Sequence, residues 1–329
     1  MGSSSSLLNP DKDLLDLHGK VAMVTGGNAG IGYWTAAHLS KRGAKVYLAC
    51  RNESRATGAI AKIEAWNTSE GRGAVLYHHL SLDNPQEAKK SAEEFLAKET
   101  RLDILVNNAG LLASPYEKTK DGIVNTMVVN HLSPFTFTQT LSPLLEKTAQ
   151  EPGSDVRIVN VSSLMHSAIR AGETKFDSID SFNAQYKGAW VPPENLKRYG
   201  LTKLANILWT KELQRIYDEK KIPITAIAIH PGGVLTDSAL EGLKKSAVPK
   251  LRIAISRLFA DEPEPGSFTT LFAAASIEVS KDKSKYKAQY LAPYGKIVEP
   301  SKLARDPQLR TNLWGTTIKV LKEIYGVEF

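Results

Sequence analysis

The 329-residue chain has a single cysteine, Cys50, so no intrachain disulfide can form, and a reducing, cytoplasmic setting is expected. It has no run of 18 apolar residues, which leaves no candidate for a transmembrane helix. The opening MGSSSS lacks both a basic n-region and an apolar h-region, so it does not read as a secretory signal. It does fit the Met-Gly-x-x-x-Ser pattern in which Gly2 would accept myristate; the plainer reading is a disordered, serine-rich start. The seven histidines show no zinc-ligand spacing, and no metal is expected. A formal charge of +7 is carried in short clusters such as LKKSAVPKLR at 243–252 rather than in a stripe interleaved with aromatics. That argues against nucleic acid as a main partner. It leaves a basic surface suited to phosphate-bearing ligands or anionic membranes.

What is present is an ordinary globular composition, 42% hydrophobic and 23% charged, in a chain long enough to bury a full core unaided. Apolar runs at 20–25, 44–50, 73–80, 102–108, 156–163, 223–230 and 288–296 read as strands. Helical patterns fall between them at 31–42, 54–67, 85–99, 121–147, 195–219 and 266–279. This alternation predicts an α/β fold, a Rossmann-type doubly wound parallel sheet whose strands are buried on both faces. One domain is expected over 15–329, after a disordered tail at 1–14, with insertions at 164–194 and 232–266 that interrupt the rhythm. Long loops in a compact domain are usually lids or binding loops.

The stretch TGGNAGIG, residues 25–32, lies where the first strand should open into a helix. Gly26, Gly30 and Gly32 allow a tight turn and close backbone approach to a pyrophosphate, with Asn28 and Ile31 in the same turn. The helix N-terminus would add free N–H groups. The second strand ends in Ala49-Cys50-Arg51-Asn52, with no acid to meet a ribose 2′-hydroxyl. Arg51, joined by Arg55 one turn on, suits a 2′-phosphate, so NADP(H) is expected rather than NAD(H).

TGGNAGIG, NNAG at 107–110, Asn130 in VVNHLSPF, VSS at 161–163 and YGLTK at 199–203 together resemble the short-chain dehydrogenase/reductase family. The likeness runs from about residue 15 to 300. ACRN, the long insertion before the tyrosine and HPGGVLT at 230–236 look most like its retinol-dehydrogenase and WW-domain-oxidoreductase-like branch. The resemblance implies about seven parallel strands and a tetrad of Asn130, Ser163, Tyr199 and Lys203. It also implies that Asn107, Ala109 and Gly110 line the adenosine side and that Pro231, Gly232 and Thr236 meet the nicotinamide end. Where many relatives carry Asp after the third strand, this chain has His79.

Such a site reduces a carbonyl, or runs the reverse. The hydride donor must lie against the carbonyl carbon, the developing alkoxide must be stabilised, and a proton must reach the oxygen. Tyr199 can supply that proton, and Lys203, one helical turn away on the same face, should favour its phenolate. Ser163 would bond the substrate oxygen, and Asn130 would hold a water leading from Lys203 to solvent. The plain alternatives are a satisfied Asn130 at a helix bend beside Pro134, Ser162 in place of Ser163, a solvated Lys203 and a half-buried Tyr199. His230 reads as structural; His166 reads as a substrate contact or a surface residue. The second insertion mixes leucines, isoleucines and Phe259 with basic residues. Its stretch 232–262 would be a lid over a lipophilic substrate, the alternative being contact with a membrane or lipid-droplet surface. The functional expectation is an NADP(H)-dependent oxidoreductase of a lipophilic carbonyl or alcohol. A non-catalytic NADP(H)-binding sensor or scaffold is the alternative; epimerase and dehydratase relatives usually carry a different glycine spacing.

Overall fold

The computed structural model describes residues 8–112, 114–189, 191–235 and 261–329. One eight-stranded sheet organises them, with strand order β3-β2-β1-β4-β5-β6-β7-β8. Seven strands run parallel: β1 (Val21–Thr25), β2 (Lys45–Cys50), β3 (Val75–His79), β4 (Ile104–Asn107), β5 (Val156–Val161), β6 (Ile224–Ile229) and β7 (Tyr290–Ala292). The eighth, β8 (Lys296–Ile297), returns antiparallel to β7. The sequence run 288–296 is therefore a strand and the start of a hairpin, which makes eight strands rather than about seven.

Burial on both faces explains why the strands read as continuous apolar runs. Met23, Leu105, Ile158 and Ala226 point to one face, under helices α4 (Pro85–Leu96), α6 (Ser133–Ala149) and α7 (Glu194–Glu219). Their strand neighbours Val24, Val106, Val159 and Ile227 point to the other, under α2 (Gly30–Lys41), α3 (Glu53–Trp66) and α8 (Pro263–Ala275). The strand order reverses between β1 and β4, and a crevice opens outside their carboxyl ends.

Three segments depart from expectation. The tail ends earlier than residue 14: a short helix α1 (Pro10–Asp13) is capped by Asn9, and Leu14 is fully buried and bridged to Ser276. The insertion 164–194 is not only a surface loop. It forms 3₁₀ turns at Leu164–Ala168 and Ile179–Asn183 and sends Phe176 and Phe182 into the core. A helix at Pro307–Tyr325, absent from the sequence reading, buries Leu309, Leu313, Val320 and Leu321 in the core cluster that also holds residues of α7. No helix among the described residues is long and apolar enough to cross a membrane.

Candidate functional site

The crevice begins at the exit of β1. Gly26 adopts φ +66, a left-handed conformation that a side chain would resist. Gly32 is needed for close approach: a Cβ there would lie 2.5 Å from the Gly26 carbonyl oxygen and 2.6 Å from Asn108 Nδ2. Thr25 Oγ1 accepts the amides of Asn108 and Ala109, each at 3.0 Å, and Asn108 Nδ2 donates to the Thr25 carbonyl. The exits of β1 and β4 are thereby tied side by side. No side chain caps the N-terminus of α2, so its first amides are free for an anion.

From this turn a groove of about 610 Å³ runs in two directions. One end reaches Arg51 and Arg55; the other passes Ala109 and Gly110 to Ser163, Tyr199 and Lys203, then Pro231, Gly232 and Val234. Gly26, Asn28, Gly30 and Ile31 line its floor. Asn107 does not. Its side chain turns inward to Thr138 and Asn160, because it is the last ladder residue of β4, and Asn108 takes the position at the groove. Thr236 and most of the 232–262 segment lie outside the described residues. Arg51 is ion-paired with Asp83, four residues beyond the end of β3. His79 is exposed and bonds Tyr77.

Ser162 and Ser163 have different partners. Ser162 Oγ donates to the Lys203 carbonyl at 2.8 Å and is buried. Ser163 Oγ accepts the Met165 amide at 3.2 Å, and Ser163 is the one that acts on the Tyr199 phenol. Lys203 Nζ donates to the Val161 carbonyl at 2.8 Å and lies 5.3 Å from the centre of the Tyr199 ring. Burial pushes the Tyr199 phenol up to about 12, against a smaller downward pull from Ser163, and pushes the Lys203 ammonium down to about 8. Without a ligand the phenol is thus held neutral. Desolvation governs the phenol, and the expected lowering by Lys203 is not seen; the buried ammonium directs one of its N–H groups to the Val161 carbonyl.

Asn130 stands behind the groove on a π-helical turn, Val128–Leu132, between a short helix α5 (Asn125–Met127) and α6. Pro134 explains the turn. It has no N–H for the carbonyl four residues earlier, which is that of Asn130, and its ring crowds that oxygen. With its amide oriented to satisfy its neighbours, Asn206 donates to the freed Asn130 carbonyl at 3.0 Å. The Asn130 side chain accepts the Leu111 amide at 2.7 Å and donates to the Leu111 carbonyl and Thr202 Oγ1, both at 3.0 Å. It fixes the loop after Gly110; a Cβ on Gly110 would meet Asn130 Oδ1 at 3.1 Å and Lys203 Nζ at 3.6 Å.

The two other histidines singled out from the sequence, His166 and His230, are both buried. His230 Nδ1 accepts the Gly232 amide at 3.1 Å, a structural contact. His166 neither lines the groove nor lies at the surface; it sits behind Ser163. Leu112, Met165 and Val234, which line the groove, were not singled out from sequence. Nothing in their local pattern distinguishes an apolar groove residue from a core residue.

A Rossmann-type sheet whose crevice holds a glycine turn and, farther along, a Ser–Tyr–Lys cluster has the parts of a dinucleotide-dependent oxidoreductase. The family model described as short chain dehydrogenase matches residues 20–175. A short-chain dehydrogenase/reductase of Armillaria gallica is 44% identical over 325 residues, covering 98% of this chain and 99% of that protein. Mouse retinol dehydrogenase 12 is 33% identical over 307 residues, 93% of this chain and 88% of its own. Among solved structures, an uncharacterized protein from Mycobacterium paratuberculosis superposes with a TM-score of 0.70 at 25% identity, over 96% of this chain and 98% of that one. The chain belongs to the short-chain dehydrogenase/reductase family, in its retinol dehydrogenase-like branch, and is an oxidoreductase.

Proposed function

We propose that the protein interconverts a carbonyl and an alcohol on a lipophilic small molecule, retinoid-, steroid- or aldehyde-like, using NADP(H). The observation that carries this reading is the convergence of Ser163, Tyr199 and Lys203 on the same groove that the glycine turn lines. The cradle fits a dinucleotide: Gly26 and Gly32 let the turn close where a Cβ would press on Ala109, Asn108 and the Gly26 carbonyl, and the uncapped amides of α2 are free to bind a phosphate. When bound, the nicotinamide supplies or accepts the hydride.

The protein's own residues do the rest. Ser163 holds the substrate oxygen. Tyr199 gives it a proton or takes one away, and the Asn130 side chain fixes the loop that walls the site. Lys203 orients the ribose and, once a ligand excludes solvent and a negative charge develops on the oxygen, draws the phenol toward ionisation. Arg51 and Arg55 favour a 2′-phosphate, Arg51 held in place by Asp83. The lipophilic substrate class is supported by Leu112, Met165 and Val234 on the groove wall and by Leu164, 57% exposed beside it. The test is NADPH oxidation against a panel of long-chain aldehydes, ketones, retinal and quinones, with NADH in parallel. Turnover confined to small polar substrates would refute the substrate class, and equal use of NADH would refute the cofactor preference.

A further inference from the structure

The last sheet hydrogen bond on β5 is made by the Ser162 amide, to the Ile229 carbonyl at 2.7 Å. Ser163 therefore lies one residue beyond what the sheet holds. His166 lies within the following 3₁₀ turn, Leu164–Ala168, and is only 2% exposed. Its Nδ1 is 2.7 Å from the Ser163 carbonyl oxygen, and its own amide reaches the same oxygen at 3.1 Å. On the far side of the ring, the Ser301 amide points at Nε2 from 3.1 Å. A backbone amide can only donate, so Nε2 must be the lone-pair nitrogen and Nδ1 must carry the hydrogen. The geometry fixes both the tautomer and the neutral state, since a proton on Nε2 would face a second donor. Tyr290 packs edge-on at 5.0 Å with its hydroxyl 3.4 Å from Nδ1, and His230 lies against the other part of that ring at 5.6 Å. Burial opposes adding charge to His166, against a smaller opposite pull from the Ser163 carbonyl.

We infer that His166 is a positioning residue for Ser163. As a neutral imidazole protonated at Nδ1, it clamps the Ser163 carbonyl to the C-terminal segment at Ser301 and so aims the Ser163 hydroxyl at the groove. The clamp rests on the reading of Ser163 as the partner of the substrate oxygen. Its two contacts are separable by substitution. Asn at 166 keeps a donor near the δ position, toward Ser163. Gln reaches the ε position, toward Ser301, and gives up the bond to Ser163.

The test combines a direct observation with kinetics. Nitrogen NMR of histidine-labelled protein at pH 7, with the His166 signal assigned by its loss in His166→Asn, should show Nδ1 protonated and Nε2 bare. An Nε2-protonated ring or an imidazolium would overturn the inference without any substrate. In assays with NADPH and the first panel aldehyde turned over, His166→Gln should lower kcat about 10- to 100-fold with the KM for NADPH unchanged, as a misaimed group does. His166→Asn should recover most of that loss. In a Ser163→Ala background, His166→Gln should cost little more, because both changes remove one function. Equal losses in the Asn and Gln variants, or full additivity with Ser163→Ala, would mean a merely structural histidine. Should Ser163→Ala itself keep near-normal turnover, the role given to Ser163 fails, while the NMR result still judges the clamp.

Discussion

Replacing Lys203 by Met should stabilise the dinucleotide-free protein while abolishing its turnover. Lys203 is 3% exposed, and burial lowers its ammonium from an ordinary 10.5 to about 8. At pH 7 the folded chain still carries this charge, which disfavours the native state by ~3 kcal/mol relative to a chain in which the lysine is solvated. The substitution also removes the 2.8 Å bond to the Val161 carbonyl and the cation over the Tyr199 ring, together worth about 1–2 kcal/mol. Methionine is unbranched and of similar length, so it fills the site without a large cavity. The net gain is ~1–2 kcal/mol, or roughly 2–5 °C in the unfolding midpoint. The pH dependence has a definite sign. Below pH 8 both states hold the proton and the penalty is constant. Between pH 8 and 10.5 the native state releases it first, the unfolded chain binds more protons, and wild-type stability recovers. Thermal melts of both proteins without ligand should therefore diverge at pH 7 and converge as the pH approaches 10. A variant less stable than wild type at pH 7, or a gap that does not narrow with pH, would refute the reasoning.

Tyr199→Phe should lower turnover by at least ~10²-fold while NADPH still binds, because only the proton-transfer group is lost; single-turnover absorbance and fluorescence titration separate the two. Arg51→Asp should weaken NADPH by about 10- to 100-fold and NADH hardly at all, through loss of a charge-assisted contact and a new repulsion beside Asp83; equal weakening of both cofactors would count against a 2′-phosphate site. Gly32→Ala should abolish dinucleotide binding in calorimetry at any accessible concentration, since its Cβ would displace backbone at Gly26; retained affinity would show that the turn can give. Pro134→Ala restores an amide for the Asn130 carbonyl and should return the π turn to α-helix, with a melting point equal to or above wild type and kcat lowered about tenfold or more; unchanged kcat would disconnect the turn from the site.

The parts of the fold that sequence made legible are those governed by local rules. Continuous apolar runs located the parallel strands because both faces are covered, and TGGNAGIG located the crevice because a positive φ and a close backbone contact both demand glycine. The tyrosine–lysine spacing placed two side chains on one helix face. What escaped depended on contacts distant in sequence. The Pro307–Tyr325 helix has ordinary boundary signals, an Asp306 cap, a proline at its first turn and Gly326 in a left-handed cap. Its interior holds Gly315, Thr316 and Thr317, poor helix formers supported by tertiary contacts, among them the bonds of Thr316 to the Phe176 carbonyl and of Thr317 to His131. The resemblance put Asn107 on the adenosine side, but its side chain turns to Thr138 and Asn160, partners on other elements that a motif cannot show, and Asn108 lines the groove. The environment of His166 was unreadable because its partners are Ser163, three residues away, and Ser301, 135 residues away. The balance between burial and charge at Tyr199 likewise belongs to the folded interior and not to the motif.

His131, the neighbour of Asn130 on the π turn, is fully buried and bonds Thr317 of the Pro307–Tyr325 helix at 2.8 Å. Thr317 lies far along the chain from the glycine turn and β1–β6, so the π turn draws one of its buried partners from 186 residues away. A chain without the Pro307–Tyr325 helix would hold every member of the tetrad and still leave the imidazole at 131 without Thr317. The Pro307–Tyr325 helix thus reaches the π turn through a buried imidazole and not only through apolar packing.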